Sequence, residues 1–206
     1  MAKLNINQAM ELDYKTSEAI KILRTNLEHR GDVRVLCFTS VMGKEGKSFI
    51  SLHLAKAMAA TGKSCVVING NLREKGRDKC FSRDKDIKGL ADYLEDGLTP
   101  DAVLCETNIP NLSMIESGKE TSYASEVLGK DAYKKLIAKL REAYDYILID
   151  TPTIGEVADG LILAKSSDGV VLVIEPYVVN YEEAQRVKGL LEVNGCNILG
   201  VVINKG

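Results

Sequence analysis

Apolar residues fall along this chain in short, β-branched runs separated by stretches of helical period. Val33, Val35, Leu36 and Phe38 form the first run, which ends at Thr39-Ser40. Ser64–Ile68, Tyr146–Asp150, Gly169–Ile174 and Ile198–Ile203 repeat the pattern. The first four read as strands covered on both faces, where continuous hydrophobicity replaces alternation, and Ile198–Ile203 as the last strand. Between these runs, Ile20, Leu23 and Leu27 predict a helix from Thr16 to about Arg30, with Thr16 or Ser17 as its cap. Ile50, Leu52, Leu54, Ala55 and Met58 predict a second, opening at Gly46-Lys47-Ser48. Tyr133, Leu136, Ile137 and Leu140 predict a third over Asp131–Tyr144, and Tyr181–Val193 a fourth, stopped at Asn194-Gly195. Shorter helices are expected around Leu90–Leu94, over Pro100–Cys105 and over Val157–Ser166, with a short strand at Leu112–Ile115. Residues 74–88 are strongly charged with few apolar anchors and read as an exposed, mobile loop.

Alternating buried strands and helices predict an α/β fold, a mostly parallel sheet with helices on both faces. Without an internal repeat or linker, residues 1–206 read as a single domain, the first 30 being an N-terminal helical segment. Ligands of such sheets sit at the C-terminal ends of the strands, and the candidate chemistry gathers there. After Thr39-Ser40 comes Val41-Met-Gly-Lys-Glu-Gly-Lys-Ser48 and then a helix. Strand, glycine loop, Lys-Ser and helix is the layout of a phosphate-binding loop. Gly43, Lys44, Glu45, Gly46, Lys47, Ser48 and Phe49 are its candidate nucleotide-binding residues, with backbone N–H groups and the helix N-terminus facing phosphate. In such a loop Lys47 reaches the β- and γ-phosphates, and the Ser48 hydroxyl holds Mg²⁺. Val41 stands where the strict G-x-x-x-x-G-K-[ST] pattern has its first glycine. The apolar strand that closes on Asp150 supplies the second half of a P-loop site, a carboxylate for Mg²⁺. The sequence therefore predicts binding of ATP or ADP with Mg²⁺.

Bulk properties narrow the setting. With 27 basic and 29 acidic residues and a net charge of −2, nothing favours nucleic acid as a partner. The five cysteines have no C-x-x-C spacing and read as buried thiols of a reducing compartment. His29 and His53 lie in helical segments without partners at ligand spacing, so no transition-metal site is expected. No apolar run nears the ~20 residues of a membrane helix, and Met-Ala-Lys-Leu-Asn lacks a secretory h-region. The expectation is a cytoplasmic protein that meets the membrane only through a partner. Glu18, Lys21 and Arg24 share one sector of the first helix, which in isolation reads as a solvated charged face.

Taken together, these segments resemble the bacterial tyrosine kinases of capsule and exopolysaccharide synthesis. The resemblance runs through Ser17–Leu27, Thr39–Ser48, Asn69-Gly-Asn-Leu-Arg73, Lys88–Leu94, Ile109–Leu112, Tyr144–Pro152 and Gly200-Val-Val-Ile-Asn204. It implies a P-loop NTPase-like three-layer sandwich that transfers phosphate from ATP to tyrosine. It adds Arg73 and Asn204 to the nucleotide-side residues and makes Lys47 and Asp150 catalytic. It also implies a homo-oligomeric ring, packed through Glu18, Lys21 and Arg24, and a transmembrane polysaccharide co-polymerase as activator. In this family the loop usually reads Ser-x-x-Pro-Gly-x-Gly-Lys-Ser or Thr, so Gly43 and Lys44 depart from Pro-Gly. The family's Asp-x-Asp-x-Arg motif, assigned to Mg²⁺ handling and deprotonation of the tyrosine, is here Asn69-Gly-Asn71-Leu-Arg73. An amide cannot act as a general base near neutral pH, so the resemblance implies weakened transfer or a nucleotide-binding pseudokinase. Glu175 and Asn180 replace a common Arg and Thr, and Tyr123–Leu128 replaces Asn-Pro-x-Glu-Leu-Leu. The eight tyrosines are scattered, and no tyrosine-rich tail, the family's usual autophosphorylation target, precedes Gly206. The alternative on the same fold is a MinD/ParA-like partitioning ATPase. Those proteins carry a second lysine five residues before the loop lysine, where this chain has Met42.

Overall fold

The computed structural model describes residues 2–6, 11–73, 81–83, 87–155 and 157–205. In chain order the elements are β1 (Ala2–Ile6), α1 (Tyr14–Glu28), β2 (Val35–Ser40), α2 (Lys47–Ala59), β3 (Cys65–Asn69) and β4 (Phe81–Arg83). Then follow α3 (Leu90–Asp96), α4 (Pro100–Val103), β5 (Leu104–Thr107), β6 (Leu112–Ile115), α5 (Ala124–Leu128) and α6 (Asp131–Ala143). The chain closes with β7 (Tyr146–Asp150), α7 (Asp159–Ala164), β8 (Gly169–Ile174), α8 (Tyr181–Val193) and β9 (Ile198–Ile203). Among the described residues the strands form one nine-stranded sheet, ordered β4-β1-β5-β6-β3-β7-β2-β8-β9.

The pairing is parallel except for β1 with β4 and β5 with β6. Every residue of β2 is buried, and alternate side chains enter different cores. Leu36 and Phe38 pack under α1 and α2 with Ile20, Leu54 and Met58. Val35 faces the opposite layer, with Leu90, Leu136 and Leu163 of α3, α6 and α7. Cys37 joins Val170, Leu172, Val187 and Leu191 beneath α8. The start of β2 is fixed by Asp168, whose Oδ2 accepts the N–H groups of Arg34 (2.9 Å) and Val35 (2.8 Å). Arg141 clamps the same carboxylate at 2.5 Å and, with the two N–H donors, holds it below the usual range against the opposing effect of burial. From β2 the chain crosses to β3 on one side, whereas β8 pairs on the other. The loop after β2 therefore opens at a switch point of the sheet.

Several expectations need correction. The cap of α1 is Asp13, not Thr16 or Ser17; its Oδ1 accepts the Thr16 N–H at 3.0 Å, so the helix starts one turn earlier. The N-terminal segment is not wholly helical, because β1 precedes α1 with Leu4 and Ile6 buried and their neighbours exposed. The helix expected over Pro100–Cys105 ends at Val103, and Leu104 begins a strand. Within residues 74–88, Phe81–Arg83 is a strand rather than loop, while 74–80 and 84–86, including Cys80, lie outside the described residues. The helix expected over Val157–Ser166 is shorter, Asp159–Ala164, and α5 is a helix that the apolar pattern does not announce. Cys37, Cys65, Cys105 and Cys196 are free and buried, and burial pushes the Cys65 thiol up to about 12.

His53 sits inside α2 at 2% exposure, its ring 4.4 Å from that of Phe49 and its Nε2 without a hydrogen bond. Burial, helped by the Lys56 ammonium, pushes its imidazole from 6.5 down to about 4. Between those values the unfolded chain binds a proton that the folded one refuses, so stability is full above 6.5 and falls as pH drops toward 4. Chemical denaturation at pH 7 and pH 5 should show the parent losing about 2 kcal/mol more than a His53→Leu variant. Equal losses in the two proteins would remove His53 from the acid sensitivity.

Candidate functional site

The turn after β2 is built around a buried acid. Glu45 is fully buried, and its carboxylate accepts the Met42 N–H at 2.7 Å and the Glu175 N–H at 2.9 Å. One oxygen thus closes the loop on itself, and the other ties it to the chain leaving β8. Lys44 adopts φ 67° on the exposed side, a left-handed conformation unfavourable for a side chain with a Cβ. Gly46, at φ 86°, opens α2; a Cβ there would lie 2.2 Å from Asn204 Nδ2. Asn204 uses that amide to donate to the Glu45 carbonyl at 3.1 Å, so the end of the chain's last strand braces the loop.

Lys47 and Ser48 are the first residues of α2. The Lys47 ammonium turns back toward β2 and donates to Ser40 Oγ at 2.7 Å, and Ser40 in turn donates to the Met42 carbonyl at 2.6 Å. Ser40 was not a candidate from the sequence, although its place at a strand end was the available signal. The Ser48 hydroxyl donates to Asp150 Oδ2 at 2.5 Å. Asn69 is the partner of Asp150 in the β3–β7 register, and the Gly70 N–H reaches the Asp150 carbonyl at 2.8 Å. A void of about 10 Å³, room for one water-sized group, is lined by Ser48, Ser51, Asn69 and Asp150 together with apolar side chains. A hydroxyl and a carboxylate are hard oxygen donors that suit Mg²⁺, which keeps several waters and takes few protein ligands. The donor set fits the metal. Ser48 and Asp150 would hold Mg²⁺, and the ion, when bound, supplies charge neutralisation for phosphate oxygens.

The remaining candidates are engaged in other contacts. Asn69 Oδ1 accepts the Asn71 N–H at 3.2 Å, and Asn71 Oδ1 accepts the Arg73 N–H at 3.3 Å, each amide bracing the turn two residues on. Arg73 does not face the loop. Its Nε and Nη2 reach Asp159 Oδ2 and Oδ1 at 2.6 and 3.1 Å, and Nη2 also meets Ser125 Oγ at 3.3 Å. Burial alone would raise the Asp159 carboxyl, but the bonds from Arg73 and Ser125 hold it below the usual range. Phe49 packs its ring at a tilt of 50° against His53, 4.4 Å between ring centres. Glu18 and Lys21 pair with one another at 2.7 Å on the exposed side of α1, whereas Arg24 turns toward α2 and donates to the Ala57 carbonyl at 3.1 Å. Asn180 caps α8 by accepting the Glu183 N–H at 2.8 Å.

This sheet, its switch point and a Lys-Ser helix start facing a strand-end aspartate define a P-loop ATPase-like protein. Residues 33–191 match the AAA domain family. The chain is 34% identical over 192 residues to the tyrosine-protein kinase CpsD of Streptococcus agalactiae, covering 93% of this chain and 84% of that protein. It belongs to the bacterial tyrosine kinase family, within the AAA and P-loop ATPases. The crystal structure of the chimerical protein CapA2B2 superposes with a TM-score of 0.88 at 27% identity, covering 98% of this chain and 92% of that one. The septum site-determining protein MinD of Pyrococcus horikoshii, solved with Mg-ADP, shares the fold at a TM-score of 0.68 and 22% identity, over 84% of this chain and 70% of that one. No helix among the described residues is long and apolar enough to cross a membrane.

Replacing Glu45 with Ala would leave the N–H groups of Met42 and Glu175 without their carboxylate acceptor. Denaturant unfolding should show a loss of roughly 2–4 kcal/mol for Glu45→Ala. Glu45→Gln keeps one acceptor oxygen and should lose less. Parent-like stability for the Ala variant would mean that the loop is not held by this carboxylate.

Proposed function

We propose that the chain binds Mg·ATP and Mg·ADP through Gly43–Phe49, with Lys47 on the phosphates and Ser48 and Asp150 on the metal, and that its phosphoryl transfer to tyrosine is weakened. One observation carries this reading. The metal-side pair is in bonding contact, Ser48 to Asp150 at 2.5 Å, while the neighbouring Asn69 and Asn71 offer amide oxygens already engaged by their own turn. Such a site can hold a nucleotide but lacks a side chain able to take the tyrosine proton at that position. A lost general base costs ~10²–10⁴ in rate. Removing two carboxylates also relieves repulsion of the triphosphate, which favours retention of the nucleotide.

In the cell this domain would act at the cytoplasmic face of the membrane, docked on a transmembrane co-polymerase of capsule or exopolysaccharide synthesis. Its bound nucleotide would set its assembly state. The reading draws on the similarity to CpsD and on the absence of a candidate spanning helix among the described residues. The partitioning-ATPase alternative lacks its signature lysine, since Met42 occupies that position and is 38% exposed.

Calorimetry with Mg·ATP and Mg·ADP should show binding that Lys47→Met abolishes. No heat at millimolar nucleotide, or a Lys47→Met variant that binds like the parent, would reject the reading. Transfer to a tyrosine-rich peptide, with activator present, should rise by ~10²–10⁴ when Asn69→Asp and Asn71→Asp are combined. Either change alone should recover much less, because base and metal act on one transition state. A parent as active as the double variant would show that another residue supplies the base.

The ring assembly implied for this family would use the exposed Glu18–Lys21 side of α1, with Arg24 packed inward as a brace between α1 and α2. Light scattering should then find a concentration-dependent oligomer that Lys21→Ala with Arg24→Ala shifts toward monomer. An unchanged mass would return this face to solvent.

A further inference from the structure

Two strand-end turns flank the void beside Ser48 and Asp150. One leaves β3 as Asn69–Arg73, and the other leaves β7 after Asp150 and runs into α7 at Asp159. Their backbones touch through the Gly70 N–H and the Asp150 carbonyl. Farther out they are joined by a charged lock. Arg73 forks onto both oxygens of Asp159, a carboxylate with no solvent exposure, and Ser125 of α5 donates to Asp159 Oδ1 at 2.5 Å. The lock sits at the end of a relay of local bonds: Asn69 holds the N–H of Asn71 at 3.2 Å, and Asn71 holds the N–H of Arg73 at 3.3 Å. Leu72, buried between them, accepts the Thr121 N–H at its carbonyl, which fixes the turn to the segment before α5. Fixing Arg73 therefore fixes the amide of Asn69, which lines the void together with Ser48, Ser51 and Asp150.

We propose that Asp159 and Ser125 are positioning residues for the Mg²⁺–nucleotide site, acting through Arg73 to hold Asn69 beside Ser48 and Asp150. The inference rests on the nucleotide reading above and reassigns Arg73 from a phosphate ligand to part of the support. A planar fork is essential in this role. Lysine would keep the charge but could not span both carboxylate oxygens while also meeting Ser125. The lock would leave ADP binding without metal untouched, since none of its members touches Lys47 or the loop Gly43–Gly46 among the bonds described.

The experiment measures ADP affinity of the full chain with and without Mg²⁺, and takes their ratio as the metal's contribution. In Asp159→Asn that ratio should fall by roughly 10-fold, the scale on which support beyond the ligands affects a metal site, with metal-free affinity unchanged. Ser125→Ala removes one hydrogen bond and should lower the ratio about threefold. Asp159→Asn leaves Arg73 without its counter-charge and risks misfolding, so Arg73→Met with Asp159→Leu is measured beside it. An apolar pair can replace a buried ion pair without loss of stability. That double variant should recover the parent's thermal midpoint and keep the lowered ratio. A double variant that regains both midpoint and ratio would make the lock merely structural, and a parent-like ratio in Asp159→Asn and Ser125→Ala would overturn the proposal outright. A parent without any Mg²⁺ effect would instead reject the nucleotide reading, and the positioning role with it.

Discussion

Burial of β2 on both faces is the constraint from which the rest follows. All six of its residues, Val35–Ser40, are buried, and strands lie on either side of it. A strand enclosed in this way has no room for polar side chains except at its ends, where the backbone leaves the sheet. Ser40, Asn69 and Asp150 each close such a strand. Their clustering is thus a consequence of the sheet's parallel order. Parallel order brings the C-terminal ends to one edge, and the switch point beside β2 leaves a gap there into which the N-terminus of α2 projects. Position comes from the core, and identity at the strand ends decides what the gap can do.

Within that gap the acid at Glu45 takes the part that most loops leave to glycine and water. A loop that must offer N–H groups to a ligand cannot spend them on itself, so its own shape has to be held by other means. Glu45 does this from beneath, occupying two N–H groups that face inward. Asn204 holds the same turn from the last strand. The cost is visible at Lys44, which is forced to a positive φ that glycine would adopt without strain. Lysine at this point puts a positive charge on the exposed rim of a loop suited to phosphate, which offsets that cost only if an anion comes to the site.

Strong signals made the central architecture legible. Four strands, β2, β3, β7 and β8, are largely apolar and buried, β9 is an apolar run at the sheet edge, and α1 and α6 repeat apolar residues at helical spacing, so both periods agreed with the fold. The edge was harder to read. β1 buries only Leu4 and Ile6, and its position is set by Asn108, whose side chain pairs with both the N–H and the carbonyl of Ile6. That is a tertiary contact with no local trace. β5 follows α4 directly because β6 offers an antiparallel partner, and no periodicity in Leu104–Thr107 announces a strand four residues long. At the site, Lys47, Ser48 and Asp150 were readable because motif spacing encodes their meeting. Arg73 was assigned by motif to the nucleotide, and its actual partner, Asp159, belongs to a different element. Motif membership fixes where a residue starts, whereas the charge nearest its far end decides where its side chain goes.

The same distinction bears on the two asparagines. Asp and Asn are nearly equal in shape, and both can accept a backbone N–H two residues on, so the turn Asn69–Arg73 forms with either. The fold is therefore blind to the exchange. What changes is electrostatic: two negative charges next to Asp150 are gone, and the neutral turn can sit against Asp150 without repulsion. The 2.5 Å bond between Ser48 and Asp150, the pair proposed to hold Mg²⁺, does not depend on those charges. A site built in this way separates two properties that aspartates would combine, holding a metal–nucleotide pair and removing a proton. On the reading proposed above, the first would fall to Lys47, Ser48 and Asp150, all positioned by the core. The second would need a base, and on the same reading that base would stand at the end of β3, where this chain carries Asn69 and Asn71.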